Sequence, residues 1–353
     1  MKAKPFAVPG QIEELLARPA AARQNLVRNV RRYWTPAVCR ALLDRSNIIR
    51  YSDPIEMAQI ALLGVLSAER CIPKDFQLLA EAWTQFAAGL MVRGALRSSD
   101  AAFAKAGEFV LQANVGAKLR WAECLASLRL RQTRLSEARE LIGDVLRYRA
   151  CTGEAHAYAS ALCQSALIYS EAGDPVSSLA ETNRALELID GTADPQLLLV
   201  AQQNGARYLV EMGRPEAAFA TLNATESLFR HAADPLMLLR RRWVYAKTAA
   251  AFGTTEMDLL AEREFRAAAD EASSRGLPYE AASILLELGI FLAVRRRYML
   301  LSNIVDEIIP LFDSMGIGSD ATLARMLRSA AENHHLAAEL FRDVAARLRR
   351  RRR

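Results

Sequence analysis

The sequence predicts an all-α fold, an α-solenoid built from antiparallel helix pairs. Three observations predict it. Ala, Leu, Arg and Glu dominate the 353 residues, and runs of alternating β-branched residues are almost absent. Hydrophobic residues make up 52%, enough for a sizeable core, while 17 glycines and 12 prolines are too few for a disordered chain. Third, a small residue recurs about every 40 positions, and other columns move with it.

The small column runs Ala87, Ala126, Ala166, Ala206, Ala246 and Gly289. Seven residues after it stand Gly94, Gly173, Gly213 and Gly253; Thr133 and Arg296 depart from the column. Twelve residues after it stand Ser99, Ala138, Ser178, Ala218 and Leu301, and four further on Phe103, Ile142, Thr182, Leu222 and Val305. The unit of Ala246 is out of register by three residues, which places Ala261 and Phe265 in these two columns. Each column has a physical role. A small residue lets two helices approach closely. Glycine supplies a positive φ after a helix end. The Asp-Pro pairs 174–175, 194–195 and 234–235 read as N-cap and first helical residue.

These columns resemble the tetratricopeptide (TPR) pattern, W-x2-L-G-x2-Y followed by A-x3-F and a late Pro. The unit that carries the resemblance best has Trp83-x2-Phe86-Ala87-x2-Leu90, then Gly94, then Ser99-x3-Phe103. Others are Leu162, Ala166 and Tyr169 followed by Gly173-Asp174, and Leu285-x2-Leu288-Gly289-x2-Leu292. The period of about 40 exceeds the family's usual 34, so the units are called TPR-like. The resemblance covers roughly residues 36–316 and implies a right-handed superhelix.

The elements follow in order. Residues 1–10 are expected as a leader, and Gln11 to Tyr33 as one or two short helices broken around Pro19. Thr35-Pro36 starts a helix with Val38, Leu42, Leu43 and Ile49 on one stripe, and Asp53-Pro54 caps the next. Helix pairs are predicted near 74–93 and 99–113, 115–131 and 135–149, and 154–172 and 175–189. Further pairs fall at 195–212 and 215–231, 235–252 and 256–275, and 278–295 and 298–315. Three extra residues in the fifth of these pairs are placed around Thr254-Thr255. A capping helix over 320–347 is expected after Gly316. The chain thus divides into a leader and cap (1–35), the array (36–316) and C-terminal capping helices with an arginine-rich tail (317–353).

In the resembling family, groove residues lie six and three before the small position and one after it. These offsets give Arg120, Glu123 and Ser127, then Ser160, Cys163 and Leu167. They next give Val200, Gln203 and Arg207, then Arg240, Trp243 and Lys247, and finally Ser283, Leu286 and Ile290. Asn204, beside Gln203, sits at an offset some groove-binding members also use. Gln203, Asn204, Arg207, Arg240, Trp243 and Lys247 come from adjacent units and are expected to form a basic, hydrogen-bonding patch suited to a carboxylate or an acidic peptide. The plainer alternative is a solvated polar face. The family's two-carboxylate clamp of Lys, Asn and Arg is not reproduced at Glu81, Thr84 and Ala88, so binding of a chaperone C-terminus is not expected.

The net charge of +6 belongs to the tail, because Arg347 and Arg349, Arg350, Arg351, Arg352 and Arg353 fall within the last seven residues and leave a near-neutral body. That tail can grip phosphates without sequence specificity, or simply solubilise the terminus. The five cysteines include no CxxC, and the four histidines form no metal-ligand spacing, so neither metal nor cofactor is expected. GxGxxG, Walker A and GxSxG motifs are absent, and catalysis is the least supported reading. No apolar run spans a bilayer and no signal peptide is visible, which points to a cytoplasmic protein. The leading expectation is a non-enzymatic scaffold that binds a peptide or helix in a groove. The alternatives are a nucleic-acid-associated solenoid that uses the arginine tail, and a sensor subunit of a bacterial regulatory system acting in trans.

Overall fold

The Gly173-Asp174-Pro175 turn adopts the geometry its residue types require. Gly173 takes φ +81°. The Asp174 carboxylate accepts from the Ser177 backbone N–H at 2.9 Å, and Pro175 occupies the first turn of the following helix. Asp194 and Asp234 cap their helices in the same way, each at 2.8 Å. The computed structural model describes residues 8–50, 53–232 and 234–332. These form eighteen α-helices and one 3-10 turn, with no strand among the described residues.

The chain forms two compact units, Met1–Leu128 and Arg129–Arg353. The first holds α1 (Val8–Leu16), α2 (Ala20–Asn29), a 3-10 turn (Arg31–Tyr33), α3 (Pro36–Ile48), α4 (Pro54–Arg70), α5 (Phe76–Val92), α6 (Leu96–Val110) and most of α7 (Val115–Arg131). Val8, Pro9 and Gly10, expected in a leader, already belong to α1; residues 1–7 lie outside the described set. Ile12, Leu15, Val27, Tyr33, Val38, Leu42 and Ile60 pack into one cluster across α1 to α4. Trp121 of α7 donates its indole N–H to the Phe103 carbonyl at 3.1 Å and packs on Ala80, Val110 and Ala117.

The second unit holds α8 (Leu135–Thr152), α9 (Ala155–Glu171), α10 (Pro175–Leu188), α11 (Pro195–Glu211), α12 (Pro215–Ala224) and α13 (Glu226–Ala232). After these come α14 (Pro235–Phe252), α15 (Thr255–Ser274), α16 (Pro278–Val294), α17 (Tyr298–Met315) and α18 (Gly318–Glu332). Helix α9 packs on α10, α14 on α15 and α16 on α17. Within the unit the repeat columns form its core. Ala166, Ala206, Ala246, Ala138, Ala218 and Ala261 are fully buried. A Cβ added to Gly289 would lie 3.4 Å from both Leu301 and Leu327, so the small residue sets the helix spacing there. The shifted column is also buried, with Phe265 2% exposed, while Asp258 and Glu262 pair with Arg295 and Arg297 at the surface.

Two expectations are corrected. The three extra residues of the fifth predicted pair do not lengthen its turn: α15 begins nine residues after Ala246, just as α10 begins nine after Ala166. The insertion forms an added first turn of α15, which at 3.6 residues per turn keeps the same face inward. The helix predicted over 215–231 is interrupted at Thr225, whose hydroxyl bonds back to the Thr221 and Leu222 carbonyls at 3.0 Å each. That bond competes with the helical ladder. Arg241 of α14 also donates to the Leu222 carbonyl, at 3.1 Å.

Candidate functional site

Helices α9, α11, α14 and α16 are the first helices of successive pairs, and the offsets from the small column bring their polar residues onto one face. Arg207 sits at its centre. Its guanidinium donates to Ser170 Oγ at 2.7 Å, to Glu171 at 2.9 Å and to Glu211 at 3.0 Å. Ser170 in turn donates to the other oxygen of Glu211 at 2.8 Å. Lys247 of α14 lies 2.8 Å from Glu287 and 3.9 Å from Glu211. The Trp243 indole N–H donates to the second oxygen of Glu287 at 2.8 Å. At the far end, Arg240 reaches Glu280 at 3.5 Å, and Arg131 meets the same oxygen at 2.7 Å while lying over the Tyr279 ring at 4.3 Å.

The structure therefore brings together Arg207, Arg240, Trp243 and Lys247, with Gln203 and Asn204 one turn before Arg207 on α11. It does not present them as an unopposed basic patch. Arg131, Arg207, Arg240 and Lys247 are matched by Glu171, Glu211, Glu280 and Glu287, so the face is charge-balanced. Sequence reasoning missed the four glutamates. A signal existed for two of them: Glu280 follows Arg240, and Glu287 follows Lys247, by one repeat length of 40. Burial disfavours the charge on Glu211, but Arg207 and Lys247 outweigh it and hold the carboxyl below its usual range. Glu280 behaves alike, burial being overcome by Arg131 and Arg240. These glutamates stay ionised at neutral pH and keep the cations in fixed positions.

Gln203 is 6% exposed and Asn204 is half-buried. Neither side-chain amide makes a hydrogen bond with another described residue. Each offers a donor and an acceptor together, the complement of a peptide group. The face thus carries fixed cations, carboxylates, two available amides and one indole. Cys163, at another groove offset, is buried in apolar surroundings that push its thiol up to about 12.

Arg120 and Glu123 belong to the first unit, on α7. Arg120 is exposed and donates to Gln85 at 3.3 Å, at the wall of a cavity. Glu123, three residues further on, is half-buried and does not line that cavity. The arginine tail, Arg347 and Arg349 to Arg353, lies outside the described residues, as do His334 and His335. Among the described residues, no His/Cys/Asp/Glu group is arranged to hold a metal ion, and no helix is long and apolar enough to cross a membrane.

No protein-family model matches the sequence, and no curated protein matches it either. Solved structures do resemble it. A Rap protein complexed with Competence and Sporulation Factor superposes with a TM-score of 0.63 at 13% identity, over 89% of this chain and 96% of that one. NprR in complex with its cognate peptide NprX superposes with a TM-score of 0.55 at 14% identity, over 87% and 88%. At such identities the likeness speaks to the fold, and the chain is a TPR-like α-solenoid of antiparallel helix pairs.

Proposed function

We propose that this protein is a non-enzymatic peptide-binding scaffold whose binding face is made by α9, α11, α14 and α16. The observation that carries the reading is the pair of amides on Gln203 and Asn204 that have no hydrogen-bond partner among the described residues, set beside an anchored Arg207 and the half-buried Trp243. An extended peptide has no internal hydrogen bonds for its backbone groups, and an amide side chain can take both a C=O and an N–H. Fixed cations would orient side chains or a terminus of the same peptide. One solved neighbour is in complex with a peptide, NprX, bound to NprR. The balanced charge of the face favours recognition through the peptide backbone over a requirement for strong acidity.

The test is selection of a displayed random peptide library on the full chain, followed by affinity measurement for the enriched peptides. Asn204→Ala and Gln203→Ala should each weaken binding about tenfold without lowering the melting temperature, the loss expected for a buried hydrogen bond left unmade. Enriched peptides that bind both variants as tightly as the parent would overturn the assignment.

A further inference from the structure

A second site lies in the first unit, independent of the α9–α16 face. A cavity of about 370 Å³ opens between α3, α5 and α7, near the lower end of the roughly 300–1,000 Å³ that small-molecule sites occupy. Its charged wall carries Arg40 and Arg120 on one side of the ledger of signs, and Asp44 and Glu81 on the other. Arg40 and Asp44 stand one turn apart on α3, the spacing at which such residues usually pair, yet neither makes an ion pair or hydrogen bond with another described residue. Asn47, one turn further on near the rim, is equally unengaged.

The wall is also built from beneath. Arg120 donates to Gln85 at 3.3 Å, Gln85 donates to Ser46 Oγ at 3.2 Å, and Ser46 donates to the Met57 carbonyl at 2.9 Å. Ser46 is fully buried and Gln85 6% exposed, so this chain of polar groups runs through the core. Its one solvent-facing end is the Arg120 guanidinium. Such a chain fixes a functional group by locking its support, as a pre-organised site requires.

The signs of charge decide the ligand class. A phosphate or other anion would face two carboxylates, and a simple cation would face two guanidinium groups. An apolar ligand would find only Leu43, Gly116 and Ala117. A molecule carrying both signs meets a complement for each. We propose that this cavity binds a small zwitterion, an amino acid or short peptide with free termini, with its carboxylate on Arg120 and Arg40 and its ammonium on Asp44 and Glu81. Gly116 and Ala117 leave room for its side chain. Gln85 is a positioning residue that acts through Arg120.

The test is ligand-observed NMR on the full chain with three probes: the twenty free amino acids, an equimolar tripeptide mixture with free termini, and the same tripeptides N-acetylated and C-amidated. Saturation transfer that Arg120→Ala removes is expected for a free-termini probe and not for the blocked one, whose site would be the α9–α16 face; the first two arms tell a free amino acid from a short peptide. Arg120→Ala should weaken the bound species at least tenfold, and Gln85→Leu should weaken it less, by releasing an Arg120 that still carries its charge. If either destabilises the unit, Arg40→Ala, at an exposed position, carries the same expectation. Asn204→Ala, in the other unit, should leave this binding unchanged. Equal Arg120-dependent binding of the blocked mixture, silence in both free-termini arms, or full binding by Arg40→Ala and Arg120→Ala would overturn the proposal.

Discussion

Arg131 and Glu280 stand 149 residues apart in sequence and share a 2.7 Å ion pair. In a solenoid each unit ordinarily touches only its neighbours. This contact joins the last residue of α7 to the first turn of α16, past α9, α11 and α14. Glu280 is only 4% exposed, and one of its oxygens and one Arg131 nitrogen are buried without a hydrogen-bond partner. A buried, half-satisfied pair makes a specific prediction. Arg131→Met, which leaves Glu280 with Arg240 at 3.5 Å as its one cation, should cost about 3 kcal/mol. The double change Arg131→Met with Glu280→Leu should recover most of that loss. Urea unfolding of the two singles and the double measures the coupling. Strict additivity would show that the two side chains do not depend on each other.

The glycine column offers a cleaner backbone experiment. Gly94, Gly173, Gly213 and Gly253 all have φ between +73° and +81°, and the two departures from the column, Thr133 and Arg296, keep the same left-handed backbone at φ +59°. The fold therefore imposes the conformation regardless of the residue. A non-glycine residue there carries a penalty of about 1–2 kcal/mol. Arg296→Gly should raise stability by about 1 kcal/mol, and Gly213→Ala should lower it by a similar amount. A Cβ at Gly213 would meet nothing within 4 Å, so that cost would come from the backbone alone. An unchanged denaturation midpoint for Gly213→Ala would remove the argument.

The helices were legible because their ends carry chemistry that acts locally. Asp174, Asp194 and Asp234 each bond an N–H three residues on, and each is followed by Pro. The Thr225 break was not legible, because it depends on a side-chain bond competing with a ladder that the pattern alone favours. The groove offsets found the cations because those occupy fixed places relative to the small column. The glutamates that meet them do not: Glu211 is five past Ala206, Glu287 two before Gly289 and Glu280 nine before it. The cavity in the first unit was hidden for another reason. Glu81 and Arg120 share the groove offset six before Ala87 and Ala126, but Arg40, Asp44 and Asn47 reach the same wall from α3, outside the repeat columns, which a periodic reading does not detect.

Glu211 ties the candidate face to acid stability. Its carboxyl lies below the ordinary value of 4.5 in the folded chain, so on acidification the unfolded chain takes up the proton first. Its contribution is complete above the ordinary glutamate range and is lost as pH falls through that range toward the folded value. Glu280 adds to the same limb. Unfolding free energy should be nearly flat from pH 7 to about 5 and then fall. In Glu211→Gln the acid limb should be shallower, because one proton-linked group is gone. An acid limb of unchanged slope in this variant would show that Glu211 is not titrating as its surroundings require.

Glu287 sets the sign of charge that the α14 portion of the face presents. It holds Lys247 with one oxygen and the Trp243 N–H with the other, and its side chain is 30% exposed. Glu287→Gln keeps an acceptor for Trp243 and removes the nearer of the two carboxylates that face Lys247. The variant should prefer acidic peptides more than the parent does. A peptide bearing Glu should gain up to about fivefold over its Gln counterpart, equal to about 1 kcal/mol for a partly exposed pair. The gain should shrink as ionic strength rises, because Lys247 would then be screened. The measurement is a pair of titrations, with a library-selected peptide and its Glu-to-Gln analogue, at low and high salt for both proteins. An unaltered Glu/Gln preference at low salt would mean that peptide side chains do not reach Lys247, and that recognition rests on Gln203, Asn204 and the peptide backbone.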